Sequence, residues 1–90
     1  MKRIAIKTIC TYYHIDASFI EGLHEVGHIQ LADGSYIDEE QLADLEKAIR
    51  LHQDLEINFE GIDVILRLLA NERTLRNEIK SLQNRLGIYE

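Results

Sequence analysis

The stretch Ile6–Ile29, IKTICTYYHIDASFIEGLHEVGHI, decides how this chain folds. Ile6, Ile9, Cys10 and Tyr13 recur at helical spacing, so residues 6–13 form a short first helix. His14 follows at a tight turn, where the left-handed backbone region is needed; glycine suits it best, and His is among the few other residues tolerated there. Asp16 has the side chain of an N-cap, with Ile15 before it and Ile20 after it placed as a hydrophobic staple. Phe19, Ile20, Leu23 and Val26 make the buried stripe of a second helix, Ala17 to Val26, which Gly27 ends. Helix, tight turn, helix is the layout of a DNA reader. Yet the second helix contains no Lys or Arg and carries Glu21 and Glu25. Basic side chains on phosphates supply most non-specific DNA affinity, and carboxylates set against a polyanion oppose it. The layout belongs to a DNA-binding scaffold whose reading surface has been turned to another use.

Downstream, Ala32-Asp33-Gly34-Ser35 lies between Ile29 and Leu31 on one side and Tyr36 and Ile37 on the other, a hairpin signal that predicts a two-stranded wing. Asp38 with Gln41 has the spacing of a capping box, and Ile37 with Leu42 that of a staple, so a third helix is expected from residue 39. Leu42, Leu45, Ile49 and His52 share one of its faces; Glu40, Asp44, Lys47, Leu51 and Asp54 lie on the opposite one. Asn58 repeats the N-cap device, with Ile57 and Ile62 as its staple, and a fourth helix runs to about Leu86. Along it, Ile65, Leu68, Glu72, Leu75, Ile79, Leu82 and Leu86 keep the 3-4 spacing of a coiled-coil seam with a single polar interruption. A homodimer through Ile65, Leu68, Leu75, Ile79, Leu82 and Leu86 is the expectation.

At 90 residues the chain is read as one domain, 1–90, with residues 6–57 as the compact portion and 58–90 as the long helix. No proline, 46% apolar and 29% charged residues fit a folded helical protein rather than a disordered one. The net charge of −6 disfavours nucleic acid and anionic membrane and favours a basic partner. Most of the excess lies in residues 38–57, where Lys47 and Arg50 face seven acids. Glu39, Glu40, Asp44 and Asp54, with Leu51 as an apolar anchor among them, are therefore the candidate partner-binding surface; for Leu51 the favoured reading is that it packs, with Leu55, against the fourth helix, which leaves the acids as the firmer part. Cys10 is the only cysteine, which fits a reducing compartment, and the N-terminus leads into no long apolar run; a cytoplasmic location without a membrane span is expected. Cys10, His14, His24 and His28 are the only set with metal-ligand spacing, but Cys10 fits the first helix's buried stripe and Gly27 separates His28 from His24. Ordinary structural roles are expected for them, with no cofactor. Nothing resembles a catalytic constellation, and the four tyrosines, Tyr12, Tyr13, Tyr36 and Tyr89, do not interleave with bases as a single-strand binder would need.

The layout is similar to that of MerR-type regulators, whose winged helix-turn-helix is mostly α, with a small β-hairpin wing, a third helix and a leucine-rich final helix. The run Arg50–Ile62, RLHQDLEINFEGI, followed by Val64-Ile65-Leu66 and the Leu75, Ile79, Leu82, Leu86 tail, resembles more closely the CbpM family of bacterial chaperone modulators. The resemblance covers residues 6–86, and its sharper part is Phe59-Glu60-Gly61-Ile62 with the N-cap before it. Glu60 departs from the family's pattern, standing where a proline is expected; either residue suits a helix start. In MerR-type regulators the positions matching Glu21 and Gly22 carry basic and aromatic residues that meet DNA, and this chain departs at both. The resemblance thus implies a protein-binding regulator that occupies the J-domain of a CbpA-like, DnaJ-related co-chaperone. A MerR-type DNA-binding transcription regulator is the alternative, its bases reduced to Lys2, Arg3 and Lys7.

Overall fold

His14 takes φ 56° and ψ 50°, the left-handed turn that its position calls for, and swings the chain from one short helix into the next. The structure, a computed structural model, describes residues 2–87, so Tyr89 lies outside it. In chain order the elements are β1 (Arg3–Ala5), α1 (Ile6–Tyr13), α2 (Ala17–Glu25), β2 (Leu31–Ala32), β3 (Tyr36–Asp38), a single 3-10 turn (Glu39–Gln41), α3 (Leu42–Asp54) and α4 (Phe59–Leu86). The fold is mostly α, a helix-turn-helix with a small sheet and a long final helix, as the sequence implies.

Four local expectations need correction. The wing has three strands rather than two: β3 lies in the middle, paired antiparallel with β2 and with β1, where Ile4 faces Ile37. Its third strand comes from the extreme start of the chain, too short to show an alternating pattern. α2 stops at Glu25, which turns Val26 out of the stripe to 40% exposure. Asp16 has the extended backbone of an N-cap but makes no capping hydrogen bond with its side chain. The Asp38–Gln41 capping box does not form either. Asp38 ends β3 and faces Arg3 at 3.8 Å. Gln41 reaches sideways instead, its Oε1 accepting from the Gln30 amide at 2.7 Å and its Nε2 donating to the Gln30 carbonyl at 3.0 Å. Residues 39–41 are left to a 3-10 turn, and the α-helical geometry begins at Leu42.

The core draws on every helix. Ile20 and Leu23 of α2, Ile37 of β3, Leu45 and Ile49 of α3 and Ile62 of α4 are fully enclosed. Ile6, Ile9, Ile15, Phe19, Ile29 and Ala48 complete the cluster. Each buried Ile, Leu or Phe side chain contributes about 1.5–3 kcal/mol by leaving water. α1 is also tied to α3 through Gln53, whose Nε2 donates to the Tyr13 carbonyl at 2.6 Å.

The turn into α4 forms as the sequence predicts. Asn58 caps it, its Oδ1 accepting from the Gly61 amide at 2.8 Å. Gly61 is required at that place, because a Cβ there would come within 2.7 Å of Ile57 Cγ2. Asn58→Ala is expected to cost about 1 kcal/mol, which lowers the melting temperature by roughly 4–8 °C in a domain of this size. Gly61→Ala is expected to destabilise as well, although alanine is the better helix former by about 1 kcal/mol in a helix interior. Thermal denaturation followed by circular dichroism checks both signs; an unchanged or raised melting temperature for Gly61→Ala would show that Ile57 yields without cost.

Candidate functional site

Burial of Leu45, Ala48 and Ile49 fixes which way α3 faces and leaves Glu40, Ala43, Asp44, Lys47, Arg50 and Asp54 in solvent. The face is pinned at both ends, by the Gln41–Gln30 pair and by His52, whose Nδ1 donates to the Ile57 carbonyl at 2.8 Å. The sequence-predicted residues do not gather at one spot on it. Leu51 and Asp54 line a shallow depression of about 510 Å³ together with Ala43, Glu46, Lys47, Arg50 and Leu55. Glu39 and Glu40 lie with Lys2 and Asp38 around a second depression, beside the sheet. Asp44 borders a third, in the crevice between α3 and α4, close to Lys47 and Arg73.

Inward packing holds for one of the two leucines: Leu51 is half-buried against the core, whereas Leu55, just past the end of α3, is 64% exposed and presents the apolar surface. Lys47 and Arg50 sit in the middle of the face rather than at its margin. The signal was available, since Ala43, Lys47, Arg50 and Asp54 follow one line of a helix at 3-4 spacing. The surface is net acidic but mixed.

α4 presents the second candidate surface. Val64, Leu68, Leu75, Ile79, Leu82 and Leu86 are each more than half exposed. At 3.6 residues per turn they fall within roughly 60° of one another, a stripe about 33 Å long. Ile65, assigned to the seam from sequence, is half-buried, and Val64 takes the outward place at that end. Glu72, the polar interruption, is paired with Arg76 on the same helix at 3.3 Å. The core-facing side of α4 is spent early, on Ile62 and Leu66.

On α2 the exposed residues are Ala17, Ser18, Glu21 and Glu25, with no base among them. Gly22 is turned inward: a Cβ there would approach Phe59 Cε1 to 3.0 Å, so the glycine makes room for a ring from α4. Arg3, one of the three bases available for phosphate contact, lies against Asp33 at 3.5 Å and Asp38. Each histidine of the weighed metal set has a structural place. His14 forms the left-handed turn, His24 donates from Nδ1 to the Ile29 carbonyl at 3.2 Å, and His28 donates from Nε2 to Asp63 Oδ1 at 2.6 Å. Cys10 packs against the core, and burial pushes its thiol up, with Asp16 and Glu21 adding to the effect. Among the described residues no three His, Cys, Asp or Glu side chains gather as a metal ion would need. None of the helices described is long and apolar enough to cross a membrane.

Asp63 is the residue that sequence reasoning passed over. It receives His28 from the loop after α2 and a two-pronged contact from Arg67, with Nε and Nη2 each at 3.1 Å. The contact fastens the root of α4 to the helix-turn-helix.

Comparison with known proteins follows this geometry. The family described as "MerR HTH family regulatory protein" matches residues 4–84. The chaperone modulatory protein CbpM of Pseudomonas entomophila (strain L48) is 28% identical over 91 aligned residues, covering 97% of this chain and 90% of the relative. CbpM of Pseudomonas putida (strain W619) is 31% identical over 93, with the same coverage. CbpM of Pseudomonas putida (strain F1) is 29% identical over 92. No solved structure matches the chain.

The hydrogen bond from His28, with that from Arg67 beside it, holds the Asp63 carboxyl below its ordinary value of 3.8. A group depressed in the folded state stabilises fully above its unfolded pKa and loses that contribution as pH falls through the folded value. The stability gap between wild type and Asp63→Asn is therefore expected to be widest near neutral pH and to close below 3.8. Urea midpoints measured across that range check it; a gap independent of pH would mean that Asp63 acts through packing alone.

Proposed function

Since the chain belongs to the MerR helix-turn-helix family and, within it, to the chaperone modulatory proteins named CbpM, we propose that it regulates a CbpA-like J-domain co-chaperone by binding its J-domain. The observation that carries this reading is likeness to the CbpM proteins along nearly the whole chain, joined to a reading helix that offers DNA only Glu21 and Glu25. J-domains dock on their Hsp70 partner through a basic helix. A modulator that holds this helix competes with the chaperone for it. The chain's net charge of −6 draws such a helix in, and acids on the 3-10 turn and α3 (Glu39, Glu40, Asp44 and Asp54) form part of the surface that holds it. Leu51 and Leu55 supply apolar contact beside Asp54. Rim charges of this kind act mainly on the rate of association and its salt dependence. The protein works without catalysis, by occupancy.

The exposed stripe on α4 enters the same reading. Two copies paired along Leu68, Leu75, Ile79, Leu82 and Leu86 would remove from water six side chains (Val64 included) that this chain alone leaves uncovered. Single exposed leucines are ordinary on a protein surface; six in one line are not. A dimer would present two acidic faces to the co-chaperone.

Two measurements test these parts separately. Glu40→Lys combined with Asp44→Lys is expected to weaken binding of the host's J-domain protein at least about tenfold, or about 1.4 kcal/mol, in calorimetry. Both side chains are exposed, so the circular dichroism spectrum should not change. A folded double variant that binds as tightly as wild type would move the docking surface off these acids, and micromolar affinity for a discrete duplex DNA site would support the transcription-regulator alternative instead. For the dimer, Leu75→Glu with Ile79→Glu should convert a dimer to a monomer in light scattering, because unpaired charge in an apolar seam is costly. A wild type that is monomeric at high micromolar concentration would refute the pairing.

A further inference from the structure

Between the start of α2 and the corner that joins α3 to α4, the surface opens into a crevice of about 810 Å³. Its floor is aromatic. Phe19 and Phe59 meet edge to face with centroids 6.1 Å apart, and His52 stacks on Phe19 at 4.9 Å. Gly22 keeps the wall beside Phe59 low, since any larger residue would press on the ring. Asp16 and Glu56 both line the crevice, both are exposed, and among the described residues neither carboxylate has an ion-pair partner. No Lys or Arg lines the crevice. Glu56 is held there by a backbone at φ 54°, a conformation that non-glycine residues adopt at some cost.

We propose that this crevice takes a lysine or arginine side chain carried on a basic segment of a partner protein. The chemistry fits at three points. Two carboxylates without an ion-pair partner offer an incoming cation charge-assisted hydrogen bonds, the stronger kind. The half-buried Phe59 ring attracts positive charge through its π face, and the aromatic floor receives the aliphatic stem of the incoming side chain. The α3 face differs in the feature that matters: Lys47 and Arg50 already occupy its centre, whereas this crevice holds carboxylates without a Lys or Arg of its own. The site requires a basic segment and does not depend on that segment being part of a J-domain.

The test is a titration of the full ¹⁵N-labelled chain with a capped helical peptide containing Lys and Arg, beside a matched peptide in which Gln replaces every base. The basic peptide is expected to shift the amides of Gly22, Gln53 and Phe59 to saturation, and the Gln peptide to leave them unmoved. Asp16→Asn with Glu56→Gln keeps the size of both side chains and removes their charge; it should weaken the basic peptide at least about tenfold. Glu40→Lys with Asp44→Lys should leave the crevice shifts in place. Absence of shifts, shifts confined to Ala43, Lys47 and Arg50 on the α3 face, or equal binding by the Asp16→Asn, Glu56→Gln variant would each overturn the proposal. If the peptide fills the crevice while the host's J-domain protein does not bind the chain, the co-chaperone reading falls and the site stands.

Discussion

The corner at residues 55–62 is the constraint on which the rest of the molecule depends. Within these residues α3 stops, the backbone reverses through Glu56 at φ 54°, and α4 is launched in a fixed direction. Four contacts act together there. His52 donates to the Ile57 carbonyl, Asn58 accepts from the Gly61 amide, Ile62 enters the core, and the Phe59 ring lies against Gly22 of α2. The pair from His28 to Asp63, one turn further on, fixes the rotation of α4 about its own axis. Release of any of these would alter where the long helix points and which of its faces meets solvent. The three candidate surfaces (the α3 face, the α4 stripe and the aromatic crevice) are all oriented by this corner.

The same corner shapes the surface that the helix-turn-helix presents. A DNA reader must present its second helix freely to a groove. Here one side of α2 is given to the ring of Phe59 through Gly22, and the side left in solvent is acidic. Arg3, placed on the wing where it could reach a phosphate, is drawn to Asp33 and Asp38. Fold does not settle function; on this helix-turn-helix the exposed charges are carboxylates, which oppose a polyanion.

What is legible in the sequence is what local chemistry decides. The limits of α1, the left-handed His14 and the Asn58 cap follow from neighbours within four residues, and the structure keeps them. β1 is not legible, because three residues gain their strand identity only from β3, more than thirty positions away. The Asp38–Gln41 box fails for a related reason. Its spacing is right, but Gln41 finds a two-way partner in the backbone of Gln30, and the local option loses to the long-range one. That loss rotates Glu39 and Glu40 through a 3-10 turn, which parts them from Asp44 and Asp54 on the surface. A helical wheel that starts at residue 39 cannot show this separation. The acids of the candidate surface are correctly identified as exposed, but their grouping depends on a turn that the sequence does not announce.

Past Arg73, nearly every side chain of α4 as far as Leu86 is exposed. Thirteen residues of helix then persist on intrinsic propensity and a few contacts along their own surface, close to the length at which isolated helices are marginal in water. Their helix–coil balance is therefore linked to whatever covers the leucine stripe. Any partner that binds the stripe only in its helical form raises the helicity of the segment, and by reciprocity a more helical segment binds that partner more tightly. Binding there would thus draw the end of α4 further into helix.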